Sequence, residues 1–146
     1  MPALVNLLKI ENEELQCVAA SVLCNISEQM EVRQALTKCH SGPILIRLLQ
    51  SPVDDIQSRA AIILSDLACV EGNQDAIASE NGIIPLVNLM DSELEDVLVN
   101  AVNAVRVLCE NNSANKTAVA EAHGLEPLVE FLTVDSGKDH LLKVLL

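Results

Sequence analysis

One phrase returns along the chain: MPALVNLL at 1–8, IIPLVNLM at 83–90 and LEPLVEFL at 125–132. The apolar pairs Leu7-Leu8, Leu48-Leu49 and Leu89-Met90 lie 41 residues apart, and Phe131-Leu132 lies 42 further on. Ala19, Ala60 and Ala101 keep the interval, as do Leu23, Leu64 and Val105, and Ile26, Leu67 and Leu108. So do the acid pairs Glu13-Glu14, Asp54-Asp55 and Glu95-Asp96. Self-similarity at a period of about 20–50 residues is the signature of a stacked repeat. One such unit cannot bury its apolar faces alone, whereas stacked units share a continuous core.

Within each unit the apolar period is helical. In the middle copy Ile56, Ala60, Ile63, Leu64 and Leu67 fall at i, i+4, i+7, i+8 and i+11, one stripe of a helix and not the alternation of a strand. Leu15, Ala19, Val22, Leu23 and Ile26 repeat the stripe, as do Val97, Ala101, Ala104, Val105 and Leu108. The spacing predicts long helices over approximately 13–28, 54–70 and 94–110. It predicts middle helices over 44–50, 85–90 and 127–132, and short ones over 32–38, 74–79 and 116–122. Ser51 is expected to cap a helix whose first residue is Pro52, and Ser92 with Glu95 to form a capping box. The acid pairs then lie in the first turn, near the positive end of the helix dipole, which stabilises each by a few tenths to about 1 kcal/mol. That structural role accounts for them without a catalytic carboxylate pair. Gly42, Gly82 and Gly124 follow the short helices, where a left-handed residue is expected to end each one.

The units are expected to divide the chain at 1–28, 29–70, 71–110 and 111–146, the first and last being partial. A chain that begins and ends inside a unit leaves apolar ends bare. It is expected to be a fragment or splice product of a longer protein, or to cover its ends by self-association.

Composition narrows the function classes. Phe131 is the one aromatic residue, so the core must be aliphatic. The net charge of −12, from 21 acids against nine Lys and Arg, repels phosphate and argues against nucleic acid as a partner. The five cysteines, Cys17, Cys24, Cys39, Cys69 and Cys109, are odd in number, contain no CxxC pair and sit mostly among apolar residues. They read as small reduced core residues of an intracellular protein, in cytoplasm or nucleus, rather than a disulfide frame or zinc site. The opening residues lack the basic stretch of a signal peptide. No apolar run reaches the about 18 residues that a membrane span needs, so no membrane insertion is expected. Sequons at Asn25, Asn111 and Asn115 are then coincidental.

Taken together, residues 32–68 and 73–109 resemble complete armadillo repeats. Residues 115–132 are similar to the first two helices of another, and MPALVNLL with AASVLCNIS to the last two of an earlier one. The wording is most similar to the armadillo portion of ankyrin-and-armadillo repeat proteins. The resemblance implies an all-α armadillo-type superhelix, a solenoid of three-helix repeats. It also implies a groove, lined by the third helix of each repeat, that binds an extended peptide. In peptide-binding members an Asn near the end of that helix grips the ligand backbone and a Trp one turn earlier packs its side chains. Here the Asn position holds Asn25, Asp66 and Val107, and the Trp position holds Ser21, Ile62 and Asn103. That departs from the nuclear-import pattern.

Steps of 4, 7 and 11 back from the Asn position stay on one helix face. The stripe is Glu14, Val18, Ser21 and Asn25, then Asp55, Arg59, Ile62 and Asp66, then Asp96, Asn100, Asn103 and Val107. Paired Asn100 and Asn103 are suited to hydrogen-bonding an extended backbone. The expected function is a non-catalytic scaffold binding a protein or peptide along this face. The alternatives are a receptor for basic peptides of the nuclear-localisation type and an architectural spacer. His40, His123 and His140 form no metal-ligand spacing with the acids. No GxSxG, Walker or Rossmann motif is present. No catalytic residue, metal or cofactor is therefore expected.

Overall fold

A computed structural model describes residues 1–134, with side chains described through Glu130. The described residues form ten α-helices: α1 (Pro2–Lys9), α2 (Glu13–Ile26), α3 (Met30–Lys38), α4 (Gly42–Leu48), α5 (Asp54–Ala68), α6 (Asn73–Ser79), α7 (Ile83–Leu89), α8 (Glu95–Cys109), α9 (Ser113–Glu121) and α10 (Leu125–Val134). The long helices α2, α5 and α8 stack side by side, α2 on α5 and α5 on α8, while α4 backs α5 and α7 backs α8. This is an α-solenoid of three-helix repeats. The expected helix start in KDHLLKVLL (138–146), His140, and the side chains of Phe131 and Leu132 lie outside the described residues.

The aliphatic stripe forms the core. Ile56, Ala60, Ile63 and Leu64 are all fully shielded from water. Leu15 and Val22 hold the same stripe positions as Ile56 and Ile63, yet each is 39% exposed. The difference is one of neighbours: α5 and α8 each have a long helix on their N-terminal side, and among the described residues α2 has none.

Two local expectations are corrected. The long helices begin at Asp54 and Glu95, so neither serine sits at the capping position and Pro52 lies outside the helix. Ser51 Oγ instead accepts the Val53 amide at 3.2 Å, and Ser92 Oγ accepts the Leu94 amide at 3.1 Å. Each serine closes a turn one step ahead of the helix, the competing local bond that hydroxyls favour. Only α2 among the long helices has a side-chain cap, Asn12 Oδ1 accepting the Leu15 amide at 3.1 Å.

The bends after the short helices are the second correction. The left-handed residue is not the glycine but the residue at the helix's first outside position: His40 (φ 52°), Asn81 (φ 65°) and His123 (φ 63°). Each bend closes with the paired C-terminal bonds of a Schellman motif: His40, Asn81 and His123 donate to Thr37, Ala78 and Ala120, and the next residues, Ser41, Gly82 and Gly124, to Leu36, Ile77 and Val119. Gly82 and Gly124 are needed for space. A Cβ on Gly82 would lie 2.6 Å from Ile77 Cγ2, and one on Gly124 2.6 Å from Val119 Cγ1. In the first bend the facing residue is Leu36, which carries no second γ-carbon, and Ser41 fits with its hydroxyl donating to the Leu36 carbonyl at 2.9 Å. A Cβ on Gly82 or Gly124 would also meet the carbonyl oxygen of Ile77 or Val119 at 2.9 Å, so side chain and backbone together require glycine at these two bends.

The cysteines are free thiols, as the sequence implies, but not all are core: Cys69 is exposed and the others half-buried.

Candidate functional site: the face of the long helices

Because α2, α5 and α8 stack with their equivalent positions side by side, the candidate residues come together on one face. Glu14, Asp55 and Asp96, in the first turns, are exposed and form a row along one edge. Asn25 and Val18 are also exposed, the latter at 59%. Ser21, Arg59, Ile62, Asp66, Asn100 and Asn103 are half-buried between the helices, and Val107 is buried.

The first seam, between α2 and α5, carries charge. Asp66 Oδ2 accepts the Ser27 hydroxyl at 2.6 Å, and its Oδ1 pairs with Arg33 at 3.0 Å. Arg33 Nε also donates to the Ser27 carbonyl at 2.7 Å. Ser27 is fully buried, so this bond satisfies a hydroxyl shut off from water. Asp66 is therefore neutralised from within and offers little charge to a ligand. Above this triad the Cys24 thiol donates to the Arg59 carbonyl at 3.5 Å. Burial pushes that thiol up to about 11, although the Arg59 guanidinium pulls it back; the Asp66 carboxylate adds a smaller upward push. Arg59 Nε is cut off from water and has no hydrogen-bond acceptor.

The second seam, between α5 and α8, is neutral. The Asn100 amide donates to Ser58 Oγ at 2.6 Å, and the Asn103 amide to Ser65 Oγ at 3.2 Å. Asn103 Oδ1 accepts Arg106 Nε at 3.2 Å and its Nη2 at 3.1 Å. Both asparagines thus tie layers together as well as facing outward. Gln74, at the register position of Arg33, donates to the Val107 and Glu110 carbonyls at 2.7 and 3.0 Å.

A gap of about 430 Å³ opens at the N-terminal end of the first seam, lined by Glu13, Gln16, Arg47 and Ser51 among others. One of about 410 Å³ opens at the C-terminal end of the second, lined by Cys69, Glu71, Val107 and Glu110 among others.

An Armadillo/beta-catenin-like repeat profile matches residues 1–28 and 71–110. The chain is 45% identical over 118 residues to human ankyrin and armadillo repeat-containing protein, a match that takes in 81% of this chain and 8% of that protein. The chain belongs to the armadillo-repeat family. The armadillo fold is equally plain in solved structures: an engineered protein with a TM-score of 0.88 at 28% identity covers 99% of this chain and 60% of its own. A computationally designed armadillo repeat protein for modular peptide recognition has a TM-score of 0.84 at 27% identity, covering 92% of this chain and 57% of its own. Armadillo proteins often serve as protein-binding scaffolds. This chain spans only a small part of the ankyrin-and-armadillo relative it matches.

Several residues that organise the armadillo layers escape a helix-by-helix reading: Ser27, Arg33, Ser58, Ser65 and two asparagines in the first turns of short helices, Asn73 in α6 and Asn115 in α9. Asn73 donates to Thr37 Oγ1 and the Leu67 carbonyl, both at 2.9 Å. Asn115, 2% exposed, donates to the Leu108 carbonyl at 2.8 Å and to that of Gln74 at 3.2 Å. The signal available was their recurrence: Asn73 and Asn115 lie 42 apart, six or seven residues beyond the carbonyl each one caps. Among the described residues no three His, Cys, Asp or Glu side chains converge to hold a metal ion. No helix there is long and apolar enough to cross a membrane.

Proposed function

We propose that the chain is a non-catalytic interaction scaffold that holds an extended segment of a partner protein across the face of α2, α5 and α8. The observation that carries this is the alignment of three long helices so that side chains at 41-residue intervals share one polar, partly open face. The residues assigned to it are Glu14, Ser21, Asn25, Asp55, Arg59, Ile62, Asp66, Asp96, Asn100, Asn103 and Val107. Asn25 stands exposed in the last turn of α2, Ile62 lies half-buried in the middle of α5, and Asn100 and Asn103 keep carbonyl oxygens or spare donors for a backbone. A structural neighbour designed for modular peptide recognition supports the same use of the fold. The unit boundaries at 28/29, 70/71 and 110/111 belong to this proposal, as does an intracellular site in cytoplasm or nucleus, which suits five free thiols.

A basic segment of the nuclear-localisation type has one observation in its favour, the exposed row Glu14, Asp55 and Asp96. Asp66 does not add to it, being paired with Arg33. The test is binding to a peptide array. Ile62→Glu and Asn25→Ala should abolish capture of the bound peptides, while Asn88→Ala, on the exposed side of α7, leaves it intact. Capture indifferent to Ile62 and Asn25 would leave the chain as a spacer.

A further inference from the structure

The three bends between short and middle helices share one geometry and differ in chemistry. His40, Asn81 and His123 all take a left-handed φ, at 52°, 65° and 63°, and all are exposed. Asn81 is followed by Gly82, and an Asn–Gly step can react with itself where a His–Ser or His–Gly step cannot. The glycine amide nitrogen, unhindered by a side chain, attacks the asparagine side-chain carbonyl carbon. A C–N bond forms, ammonia leaves and a succinimide ring closes. Water then opens the ring at one carbonyl or the other. The product is aspartate, or isoaspartate with the main chain routed through the side chain and longer by a methylene. Asn111 also has a left-handed φ, 53°, but the residue after it is Asn112, whose side chain crowds its own amide.

Asn81 stands in water, but the nucleophile does not. Gly82 is buried, and its N–H donates to the Ile77 carbonyl at 2.9 Å. Ile77 Cγ2 and Ile46 Cδ1, the latter from α4 of the preceding repeat, close over it, 2.6 and 3.2 Å from where a Cβ would stand. We propose that Asn81–Gly82 is a modification site gated by this bend. While the bend is closed, the pinned amide cannot reach Asn81 Cγ. Each opening of the α6–α7 bend frees it, and the product decides whether the bend recloses. Aspartate keeps the backbone length and tolerates the left-handed region as asparagine does. Isoaspartate inserts a methylene between the Ile77 carbonyl and the Gly82 amide, so the bond that ends α6 cannot re-form in the same register. Gly82 then withdraws from Ile46, and α7, which backs α8, loses a contact with the preceding repeat. A transient opening inside the stack is thereby made permanent.

The test holds the full chain in mildly alkaline buffer, beside a peptide of residues 77–86 and the same chain in denaturing urea. Peptide mapping by mass spectrometry follows the mass gain at Asn81. Methyl transfer from S-adenosylmethionine by an isoaspartyl methyltransferase counts the isoaspartate. The peptide and the unfolded chain should convert within about twofold of each other, and the native chain about tenfold more slowly or slower still. Urea below the unfolding transition should speed the native chain. So should Ile77→Ala, which strips packing from the bend and leaves the Asn–Gly step intact. Asn81→His, which copies the other two bends, should abolish conversion at this position and leave the melting temperature unchanged. The isoaspartyl chain, separated by ion exchange, should melt below Asn81→Asp. A native chain that converts as fast as the peptide, or a native rate untouched by both urea and Ile77→Ala, would overturn the gate. Conversion in the unfolded chain no faster at Asn81 than at Asn88, which precedes a leucine, would remove the site. An isoaspartyl chain that melts with Asn81→Asp would show that the bend recloses, against the proposal.

Discussion

The first seam joins its layers through Ser27, Arg33 and Asp66; the second, at the same three register positions, has Ala68, Gln74 and Val107. The charged triad has been exchanged as a block. Gln74 keeps the reach of Arg33 but spends it on main-chain carbonyls, because Val107 offers no carboxylate. Polar bonding has moved instead to Ser58–Asn100 and Ser65–Asn103, whose counterparts at the first seam are Cys17–Arg59 and Cys24–Ile62. The lesson is that the stack fixes positions, while the chemistry at each seam is chosen in sets. Breaking one member of a set costs more than exchanging all of it.

The strongest test of that view spares neither seam. Leu64 lies fully buried in α5, the helix common to both, and Leu64→Ala should cost about 2–5 kcal/mol in urea unfolding. Next, Asp66→Val alone should cost about 3 kcal/mol by stranding Arg33 and Ser27. The block exchange Ser27→Ala with Arg33→Gln and Asp66→Val should return to within about 1 kcal/mol of the parent; a triple variant no better than the single one would mean the seams are not interchangeable. The bends make a parallel case: Gly82→Ser should cost about 2 kcal/mol by crowding Ile77. Adding Ile77→Leu, which copies the Leu36–Ser41 pair, should recover only the part due to the Ile77 γ-methyl, because the Ile77 carbonyl oxygen still lies 2.9 Å from the new Cβ. At the neutral seam Asn100→Ala should cost about 1 kcal/mol, with little dependence on salt.

The smallest effect is a pH dependence, largest at the first seam. The Cys24 thiol is raised from 9.0 to about 11 in the folded chain, so the folded state keeps its proton where the unfolded state has lost it. Its contribution to stability is fully present below pH 9 and drains away as pH rises through about 11. Cys24→Ala should flatten that part of the stability–pH curve. Cys109, raised by burial and partly offset by Lys116, acts in the same direction.

The fold was legible because Ile56, Ala60, Ile63 and Leu64 declare a helix face, and because their copies recur at one interval. The membership of the face was legible for the same reason, since positions 4, 7 and 11 apart must share a side. What those residues do there was not. Asp66 reads as an acid waiting for a ligand, yet its partner Arg33 lies 33 residues earlier, on a different helix of the preceding bend. Spacing along one helix carries no information about bonds between layers. The bends failed for a related reason. Glycine announces freedom of φ, whereas Gly82 adopts an ordinary φ of −80° and is there to clear Ile77.

The two gaps between layers lie at opposite ends of the long helices. The first seam is fastened by Ser27 and Asp66 at the C-terminal end and leaves about 430 Å³ at the other. The second is fastened along its length by Ser58–Asn100 and Ser65–Asn103 and leaves about 410 Å³ at the C-terminal end, bordered by the Gln74 amide. The two recesses therefore open at opposite ends of α5, and a larger side chain at Gln50 has room to grow into one, and at Cys69 into the other, without touching the fastened stretch between them.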